Sequence, residues 1–239
     1  MTLRGVGVHY GGVVALDDVT FDVPEGAIVG LIGPNGAGKT TLIDAVSGFT
    51  TSSGTVSLCG QRLDGLRPHR RTRAGLGRTF QDMALWDDLT VAENVGVRSG
   101  SASDGAGRDV DATLRLLRLE GLRDRSAAEL SQGQRQLVSI ARALVGNPRV
   151  LLLDEPAAGL DSNESLWLGE RLRDIRDGGV TILLIDHDMG LVLSLCDRVQ
   201  VLNFGQLIAG GSPSVVRADP VVAGAYLGST HAGETSSLT

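Results

Sequence analysis

Apolar and polar residues alternate in short runs at the start of the chain: Val6, Val8 and Tyr10, then Val19, Phe21 and Val23, with breaks at Gly11-Gly12 and Pro24-Glu25-Gly26. Alternation of period two between turn residues predicts antiparallel strands covered on one face. Residues 27–32 are instead continuously apolar, which predicts a strand buried on both faces. That run ends in a glycine-rich loop, 33–38, and a helix is predicted over 40–47. Helical spacing returns over 110–122 and over 134–145, where Leu137, Ile140, Ala141 and Leu144 share a face. The runs 150–153 and 181–185 are short, wholly apolar and ended by acids. They predict central strands of a parallel sheet, with a crossover helix over 166–176. Residues 198–202 and 206–209, joined by Asn203-Phe204-Gly205, predict a hairpin. The glycine- and serine-rich stretch 98–109 reads as a loop, and the polar stretch 228–239 as a tail.

At 239 residues with a net charge of −6, the composition argues against a protein that grips nucleic acid by neutralising phosphates. No run approaches the ~18 apolar residues that span a bilayer, so any membrane role has to come through a partner. Residues 1–12 hold no apolar h-region, and export is not expected. Cys59 and Cys196 lack metal or CxxC spacing, as suits a reducing cytoplasm. Secreted scaffold, metal finger and integral membrane protein are excluded. One count changes the picture: of 22 basic residues, Lys39 is the single lysine. Arginine's planar fork does not replace a compact ammonium, so the surroundings of Lys39 are the first candidate site.

Those surroundings are Gly33-Pro34-Asn35-Gly36-Ala37-Gly38-Lys39-Thr40, with Thr41 following. The run matches GxxxxGK[ST] and lies between a predicted strand and a predicted helix, where a phosphate loop has to lie. Glycines let backbone amides converge on a polyphosphate, and the helix adds its positive N-terminal end. Lys39 then reaches the terminal phosphates and the Thr40 hydroxyl ligates Mg²⁺. Asp154 and Glu155 close the strand 150–153. Adjacent strand residues point to opposite faces, so the two acids take separate roles: Asp154 holds Mg²⁺, and Glu155 polarises an attacking water. Ser131 is placed to N-cap the helix after it, and an N-cap serine followed by Gly133 is another arrangement that can grip phosphate.

Together with the phosphate loop and the strand acids, Leu130-Ser131-Gln132-Gly133-Gln134 resembles the signature of ATP-binding-cassette (ABC) ATPases. Gln132 departs from the glycine common there, while Ser131 and Gly133 are retained. By that resemblance Tyr10 stacks on adenine, Gln81 senses the γ-phosphate and its metal, 157–161 ending in Asp161 is the D-loop, and His187 is the switch histidine. Trp86 and Leu89 read as packing residues, with a surface for a membrane partner as the other reading. The family implies an α/β P-loop NTPase (RecA-like) core with a parallel sheet, an N-terminal antiparallel β-subdomain and an inserted α-helical subdomain. The expected division is one cassette over 1–227 (core 1–81 and 140–227, helical subdomain 82–139) and a tail over 228–239.

In the family the signature of one subunit closes over the phosphate loop of another, so with one of each the chain looks like half of a dimer. By that resemblance Ser131 and Gly133 act on the ATP of a second cassette, alike or paralogous, Gln134 belongs to the same nucleotide-binding set, and Lys39, Asp154, Glu155 and His187 act in cis. The resemblance implies ATP and Mg²⁺, transmembrane permease subunits, indirectly a solute-binding protein, and a place on the cytoplasmic face of the membrane. Segments 77–81, 154–160 and 185–189, with 219–221 and 225–228, are similar to the ATPases of branched-chain amino acid importers (the LivG type). Cassettes for urea or amide import or lipopolysaccharide export, and a soluble iron–sulfur-assembly ATPase, stay open as alternatives. Only 50 positions separate Gln81 from Ser131 (131 − 81), too few for a coiled-coil insertion.

Overall fold

The computed structural model describes residues 1–79, 85–97 and 109–228. The alternating N-terminal runs form β1 (Thr2–Tyr10) and β2 (Val13–Asp22), paired antiparallel through Leu3↔Phe21 and Val6↔Val19. They are joined by β4 (Ser53–Leu58) and β5 (Gln61–Arg62) in a sheet of order β2-β1-β4-β5. The second sheet has the order β10-β9-β3-β8-β7-β6. In it β3 (Ile28–Ile32), β6 (Leu76–Arg78), β7 (Val150–Asp154), β8 (Thr181–Ile185) and β9 (Arg198–Asn203) run parallel, and β10 (Gln206–Gly211) pairs antiparallel with β9 at the edge. Every residue of β3, β7 and β8 is buried, as their unbroken apolar runs require.

Two cores share this sheet. One face packs, with Leu3, Val19 and Leu58 of the antiparallel sheet, against α1 (Lys39–Ser47). The other packs against α5 (Gln132–Leu144), α6 (Ser162–Asp177) and α7 (Met189–Leu195). The short helices α3 (Val91–Gly96) and α4 (Val110–Leu116) lie on α5 and bury Val91, Val95 and Leu114 with it. Asn94 fastens the preceding loop: its side-chain amide donates to the carbonyls of Trp86, Leu89 and Thr90, and its Oδ1 accepts from the Trp86 amide. Helices α2 (Pro68–Arg73), α8 (Pro213–Ala218) and α9 (Pro220–Gly228) complete the α-helices among the described residues.

Expectation and structure differ in local places, each with a cause. The helix expected over 110–122 stops at Leu116, because Arg118 takes a left-handed backbone (φ 54°), and a 3-10 turn, Glu120–Leu122, follows. That break lets Leu117 and Leu119 both reach the core. The helix expected from 166 begins at Ser162, since Asp161 accepts from the amides of Asn163 and Glu164. Its polar first turn carries no periodicity to read.

Cys196, the residue that follows α7, lies against Gly30 of β3, where a Cβ would stand 3.0 Å from its Sγ. Burial pushes its thiol up to about 12, so the thiolate is scarce at neutral pH. Cys59 is exposed. One thiol per chain should therefore react with a thiol reagent under native conditions and a second only in denaturant, as mass spectrometry of the labelled protein would read.

Candidate functional site

Five parallel strands end on one edge of the sheet, the edge at which open α/β sheets hold ligands. The glycine-rich loop 33–38 leaves the end of β3 and leads into α1. Its first glycine has no room for a side chain, since a Cβ at Gly33 would collide with the Leu202 carbonyl. Gly38 combines φ 105° with a would-be Cβ 2.7 Å from the Ala15 carbonyl, so only glycine fits there. Loop residues 35–41 line one side of a cleft of about 440 Å³, closed by Val13, Val14 and Ala15 of β2, by Phe204-Gly205, and by Glu155. Lys39 is 7% exposed, and its Nζ donates to the carbonyls of Gly33 at 2.7 Å and Pro34 at 3.0 Å. Burial lowers its pKa, while the charges of Glu155 and Asp154 work the other way. The ammonium is thus bent back onto the carbonyls of its own loop, at the wall of the cleft.

The acids come from the next two strand ends. Asp154, the last residue of β7, is 4% exposed. Burial raises its pKa, opposed chiefly by Arg78, whose Nη2 lies 3.8 Å away and whose Nη1 donates to Asp44 of α1 at 2.7 Å. Glu155 leaves the strand through a left-handed backbone (φ 49°), its amide donating to the Ile185 carbonyl at 2.8 Å. The rule of opposite faces therefore stops at Asp154, and Glu155 lines the same cleft as Lys39 and Thr40. His187, 62% exposed, puts Nδ1 3.8 Å from Glu155 Oε2 and 3.9 Å from Asp186 Oδ1. Asp186 is fully buried, accepts from the amides of Ala157 and Asp188, and is raised by burial.

The Thr40 hydroxyl and a buried, incompletely compensated Asp154 carboxylate are hard oxygen donors of the kind Mg²⁺ takes. No cluster of three His, Cys, Asp or Glu occurs among the described residues. The raised pKa also has a sign in stability. Folding favours protonated Asp154, so this favourable contribution is complete below the unfolded value near 3.8 and is lost as pH rises through the folded one. Asp154→Asn, which removes that buried charge, should raise the melting temperature of the nucleotide-free protein by ~2–4 °C at pH 7–8. The gain should vanish as pH falls toward 4, in melting curves recorded across the range.

Ser131 N-caps α5 in a capping box with Gln134: the Ser131 hydroxyl accepts from the Gln134 amide, and the Gln134 side-chain oxygen accepts from the Ser131 amide. The Ser131 hydroxyl donates to Glu164 Oε1 of α6 at 2.9 Å, and the Gly133 amide donates to the same oxygen at 3.1 Å. These residues do not line the cleft around Lys39. Asp161 is engaged as the N-cap of α6. Tyr10 is 52% exposed, and its hydroxyl pairs with Thr50 Oγ1 at 3.1 Å. Trp86 is half exposed, with the Arg142 guanidinium 5.4 Å from its ring centroid. Gln81 lies outside the described residues.

Sequence reasoning missed four residues that the fold brings here. Arg78 bridges α1 and β7. Tyr226 of α9 is hydrogen-bonded by the Gly33 backbone, its phenol raised by burial. Phe204 stands 86% exposed at the cleft in a turn where it and Gly205 both have positive φ. Glu164 sits on the head of α5. Each comes from a distant segment, and only the exposed aromatic in a tight turn left a signal to notice.

Comparison with known proteins agrees with this geometry. Residues 16–158 match the family model "ABC transporter". The chain is 38% identical to the high-affinity branched-chain amino acid transport ATP-binding protein LivG of Salmonella typhimurium, over 95% of this chain and 97% of that protein. It is 36% identical to BraF of Pseudomonas aeruginosa, a protein of the same description, with the same coverage of each chain. Among solved structures, an ATP-binding cassette of an ABC transporter in its ADP conformation superposes with a TM-score of 0.85 at 32% identity, covering 95% of this chain and 98% of that one.

Proposed function

Since the chain belongs to the ABC transporter family and is an ATP-binding cassette of its ATPase type, we propose that it powers an importer of branched-chain amino acids or a related small polar solute from the cytoplasmic face of the membrane. No helix among the described residues is long and apolar enough to cross a bilayer; in this reading, passage of solute belongs to separate permease subunits, as the description of the relatives as transport ATP-binding proteins supports. The names of LivG and BraF support the solute class.

In this reading the amides of 33–41 and Lys39 hold the phosphates of ATP, with Tyr10 against the base. Thr40, Asp154 and Gln81 would hold Mg²⁺, which would supply charge that neutralises the phosphates. Glu155 accepts the proton of the attacking water, and His187, beside it, steadies the charge that grows on the γ-phosphoryl group. Ser131, Gly133 and Gln134 present the positive head of α5, and Asp161 the adjoining loop, to the ATP of a second cassette. The segment 82–139 is the helical unit that carries Ser131 across, and Trp86 adds apolar surface for a permease. The observation carrying all of this is that Glu155 leaves its strand to line one cleft with Lys39 and Thr40.

The test is reconstitution. The chain, purified with its permeases into vesicles, should hydrolyse ATP faster in the presence of a leucine-loaded binding protein and drive leucine uptake. Stimulation by urea or amides alone, or by lipopolysaccharide, would reassign the solute and leave the ATPase in place.

A further inference from the structure

The head of α5 carries an anion in this structure, and the chain supplies it. One oxygen of Glu164, Oε1, takes hydrogen bonds from both the Ser131 hydroxyl (2.9 Å) and the Gly133 amide (3.1 Å). The approach is close: a Cβ at Gly133 would stand 3.0 Å from that oxygen. The positive end of a 13-residue helix favours an anion there. These are the same two donors that the proposed mechanism offers to the γ-phosphate of the opposing cassette. The Ser131 hydroxyl has one proton to give, and a carboxylate beside an arriving phosphate repels it, so the two anions exclude one another.

We propose that Glu164 is an internal stand-in for that phosphate, a positioning residue that holds the α5 head until ATP on the partner cassette displaces it. It thereby sets the ATP concentration at which the pair closes. The inference rests on the reading that Ser131 and Gly133 act in trans. The geometry suits an exchange. The Glu164 backbone is pinned, its amide donating to Asp161 Oδ1 at 2.8 Å, while its side chain is half-buried and can swing into water. A structural brace would be expected to sit deeper and to stay when the partner arrives.

The experiment uses the transporter complex that co-purifies with the chain. Losing a charge-assisted hydrogen bond at a partly exposed site corresponds to about a tenfold change in an equilibrium. The ATP concentration for half-maximal turnover should accordingly fall about tenfold in Glu164→Ala. It should fall less in Glu164→Gln, which keeps an acceptor oxygen without the charge and guards against a defect of folding in the alanine variant. kcat should stay at or below the wild-type value, since a pair that closes more readily reopens no faster. The gap from wild type should also narrow at high salt. A half-saturating concentration that is unchanged or raised in both variants overturns the inference, a rise being what a bracing role predicts. Ser131→Ala, run beside them, separates the two levels. If it matches wild type, the trans reading has failed. If it is impaired while both Glu164 variants match wild type, only the role of Glu164 has failed.

Discussion

Glu155→Gln should keep ATP binding within about threefold of wild type while turnover drops by ~10²–10⁴, the usual worth of a positioned general base. The size of each effect follows from the backbone. Glu155 is held out of β7 by its amide bond to the Ile185 carbonyl and by φ 49°, a conformation that costs a non-glycine residue about 1–3 kcal/mol. Glutamine has the same shape in that turn and keeps a hydrogen bond to water, so the cleft and its nucleotide survive. It cannot take the proton, and ATP-bound cassettes should accumulate as pairs. Phosphate release measured beside light scattering of the assembled complex reads both halves of the expectation. Hydrolysis near the wild-type rate would remove Glu155 from its role.

Lys39→Ala should weaken nucleotide binding by about 10–100-fold, the range for a hydrogen bond to a charged group. Turnover should fall further, because the same ammonium meets charge that grows in the transition state. Lys39→Arg should fare little better. The ammonium sits in a slot 7% exposed, between two carbonyls of its own loop, and a planar guanidinium cannot enter it without pushing the loop apart. Burial disfavours the lysine's charge in the empty protein, which offsets its two hydrogen bonds to the loop carbonyls. The alanine variant should therefore melt at the wild-type temperature or slightly above it. Titration with a fluorescent ATP analogue and thermal melts check the two statements together. An arginine variant that hydrolyses ATP at the wild-type rate would show that the choice of lysine is incidental.

Several features were legible in the residues alone. Unbroken apolar runs announced β3, β7 and β8, because a strand covered on both faces has no polar alternation to confuse it. The glycine spacing announced a tight loop between β3 and α1, because Gly33 and Gly38 leave no room there for a side chain. The helix after Ser131 was readable from its cap and its periodicity together. Other elements were not. β6 has three residues and β5 two, too short for any period, and their pairing is decided by neighbours such as Val150 and Ser57. α2 is a run of charged residues whose helicity depends on Arg71 reaching the carbonyls of Ala45 and Val46.

What the amino-acid order determined by itself was therefore the local chemistry: a loop able to cradle phosphate, acids at strand ends, a capped helix, a chain able to bury its sheet on both faces. These follow from steric and hydrogen-bonding demands within a few consecutive residues. Tertiary structure decided which of those pieces meet. It turned Glu155 toward Lys39, set Arg78 between Asp44 and Asp154, brought Tyr226 to Gly33, and laid Glu164 across the head of α5. Such contacts join residues up to 193 positions apart (226 − 33), and no local pattern records them, because the free energy that selects them belongs to the packing of the whole sheet.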